Sequence, residues 1–69
     1  MNKFSIYRQL ENDTQWRSIA YSIIGNQRAV DLILVFCREG IKSWWEIRIG
    51  KKVHKSFFFD GAELVESET

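Results

Sequence analysis

Punctuation by glycine constrains this chain more than any other feature. Proline is absent, and the four glycines fall at positions 25, 40, 50 and 61. Each gap between them has the length of a short helix or of one or two strands, so the chain reads as a few small elements joined by tight turns.

Residues 3–10 alternate, with Phe4, Ile6 and Leu10 on one side and Ser5, Tyr7 and Gln9 on the other. That period of two predicts a half-buried strand, in which Arg8 is the misfit on the apolar side. Residues 14–24 fit two periods. As a helix, Trp16, Ile19, Ala20, Ile23 and Ile24 share a stripe; as a strand, Ile19, Tyr21 and Ile23 share a face. β-branched and aromatic content favours the strand. A two-residue turn at Asn12-Asp13 then sets Ile19 opposite Ile6, Tyr21 opposite Phe4 and Arg17 opposite Arg8.

Residues 27–39 predict a helix, with Asn26 as N-cap and Gly40 just past its end. At helical spacing Ala29, Val30, Leu32, Ile33, Leu34, Phe36 and Cys37 fill one arc, and Gln27, Arg28, Asp31, Arg38 and Glu39 lie opposite with Val35. Residues 43–49 and 52–59 predict a hairpin whose Gly50-Lys51 turn places glycine first, as a type II′ turn requires. That register pairs Glu46 with Lys55 and Trp44 with Phe57, whereas a longer turn shifts the pairing and flips one face. After Asp60-Gly61, residues Ala62 to Glu66 read as one helical turn. The expectation is an α+β domain, β-β-α-β-β, spanning residues 1–69 as a single unit: a four-stranded antiparallel sheet with one helix on one face. Its other face stays open and carries some of Tyr7, Trp16 and one of the Trp44-Trp45 pair.

The run Trp45 to Ile49, then Gly50-Lys51-Lys52, then Phe57 to Glu63 resembles the hairpin that leads into a helix in the plant ethylene-response-factor DNA-binding domain. It is similar also to the arm-binding domains of phage tyrosine integrases. In those families a helix of several turns follows, whereas here few residues follow, and no function is carried over.

Chemistry has few residues to draw on. A single cysteine, Cys37, and a single histidine, His54, supply neither a disulfide nor a set of soft metal ligands. Cys37 falls in the apolar arc of the helix and His54 among lysines. The acids show no paired spacing for acid–base work, and no glycine-rich phosphate loop is present. The expectation is a protein that is not an enzyme and needs no cofactor or metal. The amino terminus turns polar by Arg8 and the longest apolar run is Leu32 to Cys37, so neither an export signal nor a membrane span is expected, and the cytoplasm is the expected location.

A net charge of +1 gives no overall field for nucleic acid or anionic lipid. The charges are segregated, however. Residues 42–55 carry Lys42, Arg48, Lys51, Lys52 and Lys55 against Glu46 alone, and residues 60–69 carry Asp60, Glu63, Glu66 and Glu68 without a base. Ten aromatic side chains in 69 residues exceed what one small core can bury. These features favour a protein-binding module that docks on a larger protein or complex, with Trp44, Trp45, Arg48, Lys51, Lys52, His54 and Lys55 as the expected contact. Size and style match small phage and mobile-element products, some of which inhibit host defence complexes. Pairing of two copies is a variant of the same reading. The alternative is a small nucleic-acid binder using the basic aromatic hairpin 42–55, with lysines on phosphates and tryptophans stacked on bases.

Overall fold

Alternation in Lys3–Leu10 survives as strand β1, with Phe4 and Ile6 buried on one face and Ser5 and Tyr7 on the other. The computed structural model describes residues 3–67. After β1 come β2 (Arg17–Ile24), α1 (Asn26–Phe36), a 3₁₀ turn (Cys37–Glu39), β3 (Ser43–Ile49), β4 (Lys52–Phe59) and β5 (Leu64–Ser67). The sheet has five strands in the order β2-β1-β3-β4-β5, every neighbouring pair antiparallel. The α+β class and antiparallel sheet are as expected; the strand count is five rather than four.

The fifth strand replaces the helical turn expected at Ala62–Glu66. A single turn fixes several dihedrals for one hydrogen bond and is unstable alone, whereas Leu64 and Val65 gain a ladder by folding back on β4. Asp60 builds the reversal. Its Oδ1 accepts the amide hydrogens of Ala62 and Glu63, each at 2.8 Å, and its own N–H donates to the Glu63 carbonyl. With a strand after Gly61 and no helix, the likeness to the hairpin-into-helix families ends there.

The β3–β4 hairpin turns at Gly50-Lys51. Ile49 faces Lys52 and Arg48 faces Val53. Past Ile47 the register shifts, so that Lys55 lies opposite Ile47, Phe57 opposite Trp45 and Phe58 opposite Trp44. The expected Glu46–Lys55 and Trp44–Phe57 pairs do not form, and side-chain parity explains why. Trp45 and Ile47 on β3 and Phe57 and Phe59 on β4 are all buried, so they must share a face. A two-residue turn alone pairs odd positions with even ones and would turn one set to solvent. The bulge at His54 restores the match.

The β1–β2 hairpin is irregular in a similar way. Arg8 faces Arg17 as expected, but two register shifts follow, and Ile6 meets Ala20 while Phe4 meets Ile23. Tyr21, expected against Phe4, is 77% exposed. Residues 11–16 form the connection, so β2 starts at Arg17 and not at residue 14.

Helix α1 lies over β1 and β2. Ala29 and Ile33 are buried and Val30, Leu32 and Phe36 half-buried against the sheet, while Leu34 is exposed, at the edge of the expected arc. Gly25, with φ of 100°, occupies the N-cap position expected for Asn26, and the last turn tightens to 3₁₀ before Gly40, whose φ is 74°. The core lies between α1 and the sheet: Phe4, Ile6, Ile23, Ala29, Ile33, Cys37, Trp45, Ile47, Phe57 and Phe59. Phe36 stacks on Trp45 with ring centroids 6.0 Å apart. The misfit Arg8 is accounted for by the same ring, since its guanidinium sits 5.5 Å from the Trp45 centroid.

Candidate functional site

Cross-strand pairing sorts the side chains of the sheet into two faces. Strand parity and pairing place Tyr7, Gln9, Trp44, Glu46, Arg48, Val53, Ser56, Phe58 and Val65 on the face away from α1. Two rows decide the character of that face. One runs across four strands as Gln9, Trp44, Phe58 and Val65, each directly opposite the next. The Trp44 and Phe58 rings meet at 5.2 Å between centroids, and Trp44 and Val65 are 38% and 50% exposed. This makes an apolar ridge that reaches the β5 edge.

The second feature is centred on Arg48. Its guanidinium carbon lies 4.0 Å from the Tyr7 ring centroid and 5.9 Å from that of Trp16. Its Nε and Nη2 donate to Glu46 Oε1 at 2.8 and 2.6 Å. The two charges lie two residues apart on β3, so both project from the same face and neutralise each other there. The face is therefore aromatic, its Glu46 and Arg48 charges are paired, and strand parity adds the exposed Lys3 at its β1 end.

The residues expected as one contact are divided by the fold. Trp44 and Arg48 lie on the open face. Trp45 is 1% exposed, its Nε1 donating to Ser43 Oγ at 2.8 Å, and it is withdrawn into the core. Lys51 sits at the hairpin tip, exposed. Lys52 pairs with Ile49 and Lys55 with Ile47, which puts both on the α1 side, and Lys55 Nζ lies 3.7 Å from Glu66 Oε1. The His54 ring packs 5.3 Å from Phe4, also on the α1 side. Bases and aromatics that interleave in sequence thus part to opposite faces in space. The sequence reading missed Phe58, Val53 and Val65 as members of the open face. Their signal was the parity of β4, hidden by the bulge.

Cys37 is buried in the core, and burial pushes its thiol pKa up, with Arg8 opposing weakly. A raised pKa depletes the thiolate that nucleophilic chemistry requires. Among the described residues, no three His, Cys, Asp or Glu side chains gather as metal ligands, and no helix is long and apolar enough to cross a membrane. A groove of about 410 Å³ lies between β2 and α1, lined by Ile23, Leu32 and Val35 with Ser22, Arg28 and Asp31. It is separate from the open face. In comparison with known proteins, the chain matches no protein-family model, no curated protein and no solved structure.

Proposed function

We propose that this chain is a non-enzymatic docking module that binds a larger protein through the open face of its sheet. The observation that carries the reading is the Trp44–Phe58–Val65 ridge beside the Arg48–Tyr7 pair, on a face over which no helix or strand among the described residues packs. Interface centres are enriched in tryptophan, tyrosine and arginine and depleted in uncompensated charge, which describes this surface. Occupying a surface of a larger assembly is also how a small inhibitor without catalytic groups acts. Inhibition of a host defence complex by a phage or mobile-element product is the form of this reading that the chain's size suggests.

A nucleic-acid site needs bases and stacking rings on one surface. Here Lys52 and Lys55 lie on the side opposite Trp44, and the one guanidinium among the rings is already paired with Glu46. Charge geometry therefore favours protein.

The test is affinity capture from nuclease-treated lysate with the tagged full chain and two variants. Trp44→Ala is expected to lose the captured partner, and Lys51→Ala with Lys52→Ala to keep it. Loss with the lysine pair alone, or recovery of nucleic acid in place of protein from untreated lysate, would overturn the reading.

A further inference from the structure

The two edges of the sheet differ in kind. At one edge, β2 is broken by two register shifts against β1, and Ser22 takes a left-handed φ of 58°. Such irregularity is how sheets protect an edge from pairing. At the other edge, β5 runs in unbroken register from Ser56–Ser67 to Phe59–Leu64. Three of its four residues are exposed, and among the described residues it pairs with β4 alone. No proline, bulge or lysine guards it. Its outward N–H and C=O groups are a ready template for another strand.

The side chains of β5 state what that strand should carry. Val65 ends the ridge row on the open face. Leu64 ends a row through Leu10, Ser43 and Phe59 on the α1 side. Glu66 ends a row through Arg8, Trp45 and Phe57, and its carboxylate is met by Lys55 only at 3.7 Å. Residues 60–67 hold Asp60, Glu63 and Glu66 and no base.

We infer that β5 accepts an extended segment of the partner protein by strand addition, antiparallel, with a basic residue opposite Glu66, an aromatic or β-branched residue opposite Val65 and an apolar residue opposite Leu64. Main-chain hydrogen bonds hold the segment, and the three side chains select it. The inference rests on the docking reading, because the residue opposite Val65 prolongs the same ridge.

The experiment uses the full chain and three synthetic seven-residue peptides, blocked at both ends, with central Lys-Phe-Ile, Glu-Phe-Ile or Lys-Phe-Pro. Binding is followed by backbone NMR shifts up to about millimolar peptide, where weak recognition is still visible. Lys-Phe-Ile is expected to shift the amides of Leu64–Ser67 and to bind about threefold to tenfold tighter than Glu-Phe-Ile, the scale of a cross-strand charge reversal. Lys-Phe-Pro, lacking the N–H that would donate to the outward Leu64 carbonyl, is expected to fail. Glu66→Lys, at an exposed site, is expected to reverse the charge preference while leaving the folded spectrum intact.

Absence of any β5 shift, equal binding of the proline peptide, or a charge preference unmoved by Glu66→Lys would overturn strand addition. If that happens while Trp44→Ala still loses the captured partner, the docking face stands without strand addition. If the peptides discriminate while Trp44→Ala keeps the partner, the edge stands and the face does not.

Discussion

Arg48 stacks on Tyr7 at 4.0 Å while its guanidinium donates twice to Glu46, so one side chain joins β1 to β3 on the open face. Both charged side chains are mostly covered, at 24% and 16% exposure. Arg48→Ala is expected to lower stability by about 1–3 kcal/mol, because it leaves the Glu46 carboxylate half-buried and unpaired. A double-mutant cycle with Tyr7→Leu isolates the stacking term, expected at about 0.5–1 kcal/mol. Urea denaturation of the four proteins measures it, and additive single effects would remove the stacking claim.

Two adjacent tryptophans should differ sharply. Trp45→Ala empties the centre of the core and is expected to cost about 3–5 kcal/mol, enough to unfold a domain this small. Trp44→Ala is expected to cost under about 1 kcal/mol, since its ring touches mainly Phe58 on an open face. Ser43→Ala leaves the Trp45 indole N–H without its acceptor and is expected to cost about 1–3 kcal/mol. Thermal unfolding ranks the three, and equal losses at positions 44 and 45 would contradict the assignment of faces.

The sequence made the faces legible but not the offsets that join them. Phe4, Ile6, Trp45, Ile47, Phe57 and Phe59 each follow a period of two, and the Gly50-Lys51 turn is where glycine chemistry puts it. No local signal announces that His54 sits in a bulge. That follows only from the demand that Trp45 and Phe57 share a core. The same holds at β2, where pairing read from the turn carried Tyr21 inward and the structure leaves it in solvent. The last strand was illegible because Leu64–Ser67 is too short to show a period, and its conformation is set by β4. The expected contact residues lie close together along one hairpin, but successive positions on a strand alternate faces, so Trp44 and Arg48 part from Trp45, Lys52 and Lys55.

Acid should act through two capping aspartates. The amides of Glu63 and Ala62 hold the Asp60 carboxyl below the ordinary aspartate range, and the Arg17 side chain with the Gln15 amide does so for Asp13. A depressed folded-state pKa contributes stability that is present above the unfolded value and is lost as pH falls through the folded one. Both groups are exposed, so the effect is modest. Asp60→Asn keeps an acceptor for the turn but cannot titrate there. Urea midpoints between about pH 4 and pH 2 are expected to fall less steeply in this variant than in the parent. Parallel curves would show that Asp60 does not couple folding to protons.

Ser22 holds a left-handed backbone without glycine's freedom. Ser22→Gly removes about 1–2 kcal/mol of local strain and adds about 0.5–1 kcal/mol of unfolded-chain entropy, for a net gain of up to about 1.5 kcal/mol. Ser22→Val, β-branched at positive φ, is expected to lose more than about 1 kcal/mol. Chemical denaturation of the pair decides it; a stabilising valine would mean that the β2 kink relaxes freely.

The irregular β2 edge sets a stoichiometry. A sheet with pairable strands on both sides can propagate head to tail without limit, as fibrils do. Among the described residues this sheet offers one edge in regular register, β5. If two copies join through β5, the pair is capped by the two kinked β2 strands and growth terminates there. If β5 pairs as inferred and the kinks keep β2 from pairing, strand-mediated assembly stops at the first pair.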